Sequence, residues 1–393
     1  MQKVVILGAG YAGLRAIKEL HKEAGLQITL INRDLYHYEA TELHAVAAGT
    51  QTPADIIFDI ASSIPEGAAF RSGTVERIDI EAKCVHLEYD NVPITYDYLV
   101  VALGFESEDF GIEGVSQYAL PLSNLTDALA IRAHLEQRLA RFNDSHDEND
   151  LSIVVCGAGI TGIELIGELI HQKPKWVAQH NLPPDKIRIT CLDAMPTILP
   201  MFDAELSRYA IQYLADCGVS FQTSSAIDVV TANSVKSGER VFPAHTIIWT
   251  TGVRGSHVVA NSGFAQKRNR VAVEPCLSLK GHPEVFFIGD VSAVTNPDNG
   301  RMYPTTAQIS VAQAEHAARN LKARVAGKPM TDFVFQSRGT VCSLGPSRGI
   351  AQIGAEGSVK LEGRKVAAIK KLINNTEIAE VSNIRNMISH VDL

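Results

Sequence analysis

Lys3-Val-Val-Ile-Leu-Gly-Ala-Gly-Tyr-Ala-Gly13 is a short apolar run that closes on a GxGxxG turn, and Leu151-Ser-Ile-Val-Val-Cys-Gly-Ala-Gly-Ile-Thr-Gly162 repeats it. A helical stretch follows each turn, to about Glu23 and from Ile163 to His171. A second strand-like run then follows, Gln27–Asn32 and Ile187–Asp193. Strand, glycine turn, helix and strand open a doubly wound dinucleotide-binding unit. Gly8 and Gly10, like Gly157 and Gly159, let the backbone turn tightly and approach a pyrophosphate. Gly13 and Gly162 let helix and strand pack closely, and the helix N-terminus offers N–H groups to phosphate. One such turn is weak evidence; two in the right context predict an α/β chain with two Rossmann-like domains.

The ends of the second strands separate the two ligands. Asp193 is a carboxylate placed to accept ribose hydroxyls and repel a 2′-phosphate, which favours NADH over NADPH. The first unit has Asn32-Arg33 there instead. Asp97–Gly104 and His245–Gly252 read as apolar strands ending in Gly, and Val285-Phe-Phe-Ile-Gly-Asp290 as one ending in Gly-Asp. Open α/β sheets place ligands at such strand ends, where Asp290 can bond a flavin's ribityl chain. Beyond Pro304 a helix is expected from about Thr306 to Val325.

The 393 residues include 36 Lys and Arg against 44 Asp and Glu, a net charge of −8. That balance speaks against nucleic acid as a partner, since phosphate binding needs a basic footprint. No apolar run reaches the roughly 18–20 residues of a spanning helix, and Val4–Leu7 does not read as a signal peptide. Cys84, Cys156, Cys191, Cys217, Cys276 and Cys342 show no CxxC or metal spacing, which fits a reducing cytoplasm. Cys156 and Cys191 fall in apolar runs and read as buried hydrophobes. The acidic run Asn143–Asp150 reads as a solvated loop, and no metal site is expected.

Tyr96-Asp-Tyr-Leu-Val-Val-Ala-Leu-Gly104 and Phe286-Phe-Ile-Gly-Asp290, set around two dinucleotide units, resemble the flavoproteins with two dinucleotide-binding domains. Within them the chain resembles the type II NADH dehydrogenases (NADH:quinone oxidoreductases) of Gram-positive bacteria. The resemblance rests on Ile28-Thr-Leu-Ile-Asn-Arg33, Tyr36-His-Tyr-Glu-Ala-Thr41, Ala102-Leu-Gly-Phe-Glu-Ser107 and Gly157-Ala-Gly-Ile-Thr-Gly-Ile-Glu-Leu165. It rests also on Leu199-Pro-Met-Phe202, Trp249-Thr-Thr-Gly-Val-Arg-Gly-Ser256, Pro304-Thr-Thr-Ala-Gln308 and Gly339-Thr-Val-Cys-Ser-Leu-Gly345.

The resemblance implies FAD in the first unit, touching Gly8, Gly10, Tyr11, Ala12, Gly13, Asn32, Arg33, Val75, Gly104, Asp290 and Ala307. It implies NADH in the second, near Gly157, Gly159, Gly162, Asp193 and Gly252. Glu164 would stand beside nicotinamide and quinone, Gln308 on the quinone-site helix, and Lys370 near the flavin. The implied division is 1–113 and 263–330 for FAD and 114–262 for NADH. Residues 331–393 would form a small α+β segment for the membrane surface or dimerisation.

Glu164 stands out without any family. Ile163–Ile170 is apolar except for Glu164 and Glu168, which share a helix face at i, i+4. The segment after the first unit, Tyr36–Thr50, has no Cys, so a thiol relay next to the flavin is excluded. Electrons must then pass directly to a quinone, a protein centre or a dye. His37 and His44 are candidate general acids beside a packing role.

Two features qualify the resemblance. The family's AQxAxQ pattern is replaced by Ala307-Gln-Ile-Ser-Val-Ala312-Gln313, which turns the second Gln by about 100° on a helix. In the tail, Val366, Ile369, Leu372 and Ile373 form one apolar stripe beside Arg364, Lys365, Lys370 and Lys371, and Ile378, Val381, Ile384 and Ile388 form another. Such stripes suit an anionic membrane surface, a docking helix or a dimer interface.

The expectation is a ping-pong, non-pumping NADH:quinone oxidoreductase peripheral to the cytoplasmic membrane face. The alternatives are a cytoplasmic reductase of a protein acceptor and a flavin-bound NADH sensor with little turnover.

Overall fold

The computed structural model describes residues 1–354 and 357–382. The first unit opens with strand β1 (Gln2–Leu7), helix α1 (Tyr11–Leu20) and strand β2 (Leu26–Asn32). Helix α2 (Leu43–Ala48), strand β3 (Ala69–Ser72) and strand β4 (Tyr98–Val101) follow. The second unit holds strand β5 (Leu120–Pro121), helix α3 (Leu125–Ser145), strand β6 (Ser152–Cys156) and helix α4 (Ile160–His180). Strands β7 (Arg188–Leu192), β8 (Val219–Gln222) and β9 (Thr246–Trp249) complete it. The chain then returns through β10 (Ser278–Leu279), β11 (His282–Phe287) and helix α5 (Ala307–Val325). Three antiparallel strands, β12 (Gly339–Ser343), β13 (Gly349–Ile353) and β14 (Val359–Gly363), lead into helix α6 (Arg364–Val381).

The first sheet runs β10-β11-β4-β1-β2-β3 and the second β5-β9-β6-β7-β8. The central strands pair in parallel, β1 with β2 and β4, β6 with β7 and β9. Buried on both faces, they carry apolar runs such as Ile153-Val-Val-Cys156, every residue of which is buried. Cys156 and Cys191 lie in that core, and burial pushes both thiols up.

The helices begin where their glycines and caps place them. α1 starts at Gly10 and α4 at Gly159, while Thr306 caps α5 by accepting the Ile309 N–H at 3.3 Å. α4 runs further than His171, carrying Pro174 inside it. An antiparallel pair, Phe105–Ser107 with Val253–Gly255, joins the two units.

α6 packs on α1 and on the β12–β14 sheet. Its C-terminal carbonyls are taken by α1 cations: Lys18 Nζ donates to Ala379 O at 2.9 Å and to Ser382 O at 2.6 Å, and Arg15 to Glu380 O at 3.2 Å. Cations suit the negative end of a helix. This divides the expected apolar stripe. Val366, Ile378 and Val381 are buried against the protein and Leu372 is 67% exposed. Lys370 turns inward and does not flank a lipid-facing stripe. Ile384 and Ile388 lie outside the described residues. Among the described residues no helix is long and apolar enough to cross a membrane.

Candidate functional site

Three places in the fold hold the residues singled out above. The first is the cleft over the β1–α1 turn. Gly8 has φ +95°, and a Cβ there would lie 2.3 Å from Ala102 O. A Cβ on Gly13 would lie 1.8 Å from Gly8 O, whereas Gly10 faces open space. The first and third glycines are therefore fixed by packing, and the second leaves room for a ligand. The cleft, with ≈ 1290 Å³ of empty space counted to its open mouth, is lined by Gly8, Gly10, Tyr11, Ala12, Asn32, Arg33, Val75, Gly104 and Asp290. Gly13 packs behind this wall, and Ala307, the first residue of α5, also lies outside the lining.

Asn32 acts mainly on the loop itself: its Oδ1 accepts the Ala9 N–H at 3.0 Å, and its Nδ2 donates to Asp34 O at 2.9 Å. Asp290 is held by a brace the sequence did not disclose. Gln313 Oε1 accepts the Gly289 N–H at 2.6 Å and the Ser292 hydroxyl at 3.1 Å. Gln313 thus secures the Gly-Asp turn, and Ala312 packs at the apolar core. Burial pushes the Asp290 carboxyl up to about 6 against the pull of Arg270. Ser123, Asn124, Ser256 and Ser310 also line the cleft. Asn124 also caps α3, its Oδ1 accepting the Asp127 N–H at 3.0 Å.

The second place repeats the first over the β6–α4 turn. Gly157 has φ +114°, and a Cβ on Gly162 would lie 2.0 Å from Gly157 O, while Gly159 again faces open space. Asp193 Oδ2 accepts the Ala158 N–H at 2.6 Å, as Asn32 accepts that of Ala9, and its Oδ1 accepts the Met195 N–H at 2.7 Å. Gly252, φ +74°, lies under the Phe110 ring, whose Cζ would be 2.4 Å from a Cβ there. Arg268 stacks on that ring at 4.8 Å. Neither Phe110 nor Arg268 carries a sequence signal.

The third place joins the two units and the C-terminal segment. Glu164, one turn into α4, is buried. Its Oε1 accepts the Ser343 N–H at 2.9 Å, the Ser343 hydroxyl at 3.2 Å and the Lys370 ammonium at 2.7 Å. His44 Nδ1 stands 3.7 Å from Oε2. Burial alone would raise the carboxyl; Lys370 and His44, with the Ser343 donor, outweigh it and hold it below its ordinary value. Lys370 is raised despite its own burial, because Glu164 and Glu42 face it. A Cβ on Gly167 would lie 2.2 Å from Gly345 N, so that glycine admits the strand end that delivers Ser343.

Gln308 approaches the same sheet, donating to Gly339 O at 3.2 Å. Glu168 is buried without an ion pair among the described residues. His37 is buried, its Nδ1 donating to Ala9 O at 2.8 Å. Burial lowers its pKa to about 4, so it is neutral near pH 7 and is no general acid there. Glu164, Gln308 and Lys370 lie outside the lining of the first cleft. Among the described residues no His, Cys, Asp and Glu group could hold a metal.

A dinucleotide suits the first cleft: the glycine loop at the start of α1, polar side chains and Asp290 at the strand end all line it. The family of pyridine nucleotide-disulphide oxidoreductases matches residues 2–315. The type II NADH:quinone oxidoreductase of Staphylococcus haemolyticus is 41% identical over 98% of this chain and 96% of its own length. That of Staphylococcus aureus is 38% identical over the same shares. Among solved structures, NDH2 from Plasmodium falciparum in complex with NADH superposes with a TM-score of 0.86 at 17% identity, over 97% of this chain and 96% of that one. The sulfide:quinone oxidoreductase of Aquifex aeolicus gives 0.78 at 20% identity, over 98% and 92%. At those identities the two structures bear on the fold.

Proposed function

The chain belongs to the type II NADH:quinone oxidoreductases, and from that premise we propose how its residues divide the work of carrying two electrons from NADH through FAD to a quinone. In this reading, 1–113 with 263–330 bind FAD, 114–262 bind NADH, and the segment from 331 completes the quinone side. Bound FAD supplies the two-electron relay between nicotinamide and quinone. Residues of the chain bind, orient and charge the site.

Asn32 and Asp193 hold the two glycine loops in shape through Ala9 and Ala158. The amides at the starts of α1 and α4 face the two pyrophosphates. The carboxylate of Asp193 accepts ribose hydroxyls and repels a 2′-phosphate. Glu164 stays ionised near neutral pH, held there by Lys370 and Ser343. It therefore works as a fixed charge that orients the nicotinamide and quinone side, and not as a proton donor. Gln308 and the α6 face that carries Lys370 bound the quinone side.

The observation that carries the reading is the cleft wall itself. The Gly8–Ala12 loop, the Gly104 strand end and the Gly289-Asp290 turn meet in it, and no cysteine is among its lining residues. Cys342, next to Ser343, is fully buried and its thiol is pushed well up by burial. A thiolate relay has no candidate there.

The basic exposed residues of α6, Arg364, Lys365 and Lys371, beside exposed Leu372, support attachment at an anionic membrane surface on the cytoplasmic face. A second copy of the chain is the other candidate for that face. The test is anaerobic stopped-flow absorbance of the flavin. NADH should bleach it fast and NADPH slowly, and a short-chain menaquinone analogue should restore it fast. Restoration only by a protein acceptor would replace the quinone reading.

A further inference from the structure

Reduction of a quinone to a quinol consumes two electrons and two protons, and NADH delivers one hydride. The balance is NADH + H⁺ + quinone → NAD⁺ + quinol, so each turnover draws one proton from water. That proton needs a donor near the cleft. Glu164 is held ionised and His37 neutral, so neither supplies it.

Glu39 sits between Tyr38 and Ala40, both of which line the flavin cleft. Its backbone is pinned on both sides: its N–H donates to Ile56 O at 2.9 Å, and its carbonyl accepts the Glu42 N–H at 3.0 Å. The side chain is 5% exposed, and among the described residues it has no ion pair and no hydrogen-bond partner. A buried carboxyl without a counterion is costly and invites a functional reason.

The groups around it come from three elements. Glu42, one turn on, is already engaged by Asn374 Nδ2 at 2.6 Å and Lys370 Nζ at 3.4 Å. Glu377 of α6 is near enough for its charge to act on Glu39, and, half-buried, it also lacks an ion pair among the described residues. Tyr11 of α1 lines the cleft, and its hydroxyl lies 3.1 Å from that of Thr41. The Tyr11 hydroxyl, which can donate and accept, thus lies on the cleft wall and within electrostatic reach of both Glu39 and Glu377.

We propose that Glu39 is a proton-relay residue, refilled from solvent through Glu377 and discharging through the Tyr11–Thr41 hydroxyl pair to the acceptor side of the flavin cleft. The proposal rests on the NADH:quinone reading above. In one cycle the Glu39 carboxyl loses its proton towards the forming quinol, and water, by way of Glu377, returns one. Burial, with Glu42 and Glu377 beside it, pushes the Glu39 carboxyl up to about 8, so it is protonated near neutral pH. Burial, Glu380 and Glu42 push Glu377 up to about 7 against the pull of Lys370. A donor poised near the working pH is the efficient one.

The experiment compares wild type, Glu39→Gln and Glu377→Gln as FAD-loaded proteins. The first readout is infrared absorption without turnover. Wild type should show a protonated-carboxyl band that titrates near pH 8, and Glu39→Gln should lack it. The second is stopped-flow: Glu39→Gln should keep the NADH step and slow the quinone step at least about tenfold. It should also lose the inflection near pH 8 and the solvent isotope effect. Glu377→Gln should slow the quinone step less and keep the Glu39 band. A quinone step in Glu39→Gln that matches wild type at every pH overturns the relay while leaving the NADH:quinone reading intact. A wild type that never reduces the quinone overturns that reading, and the relay with it. If Glu39→Gln does not fold, an unchanged pH profile in Glu377→Gln counts against the route.

Discussion

Lys370 Nζ lies 2.7 Å from Glu164 Oε1, a bond between residues 206 apart in the chain. It ties the helix that opens the second dinucleotide unit to the last described helix, and both side chains are largely buried. Removing one member of a buried ion pair leaves a naked charge.

Lys370→Met should therefore cost about 3–5 kcal/mol of stability. Adding Glu164→Gln should restore a large part of it. Urea denaturation of the two variants against wild type measures this, and a double variant no more stable than the single one would mean that the pair does not act as a unit.

Stability should also depend on pH in two opposed ways. Glu164 is depressed, so its share is present above the ordinary 4.5 and is lost as pH falls through its folded value. Lys370 is raised, so its share is present below 10.5 and is lost only as pH rises past its folded value. Glu39 runs the other way. Raised to about 8 from 4.5, it binds a proton in the folded chain that the unfolded chain has released, so stability falls between those values. Melting temperature against pH should decline from about pH 5 to 8 in wild type and decline less in Glu39→Gln.

Gln313→Ala should weaken FAD binding by about tenfold through the Gly289-Asp290 turn, since it leaves the Gly289 N–H without its acceptor. Fluorescence titration of the apoprotein with FAD reads it directly. An unchanged affinity would mean that the turn holds its shape without the brace.

Asp193→Asn should retain an acceptor for the Ala158 N–H while removing the charge that faces a 2′-phosphate. The preference for NADH over NADPH, taken as the ratio of kcat/KM values, should fall about tenfold, or ~1.4 kcal/mol. If the ratio holds, selection lies elsewhere on the second unit.

The sequence reveals most where chemistry is local. Gly8 and Gly13, Gly157 and Gly162 are close-approach positions only glycine can fill, so the pattern alone announces both loops. Glu164 was visible as a carboxylate in an apolar helix. Its partners were not, because Ser343 and Lys370 arrive from distant segments and no period or motif encodes a pairing across the fold. Lys370 read as a flank of an apolar stripe for the same reason: a helical pattern gives the face of a residue but not what that face meets. Gln313 read as a displaced family residue, and only the packing of α5 on the Gly-Asp turn turns it into a brace.

The placement of Lys370 on the last described helix also sets an order of events during synthesis. At ribosomal speeds of 5–20 residues per second, Lys370 is added roughly 10–40 s after Glu164, 206 positions earlier. Both nucleotide units are complete before then. In that interval Glu164 has no ammonium to meet and must stay hydrated, so the surface that α6 will cover remains open to water. A nascent chain can therefore hold its two nucleotide clefts early, yet the joint that unites them with the C-terminal sheet forms only after both.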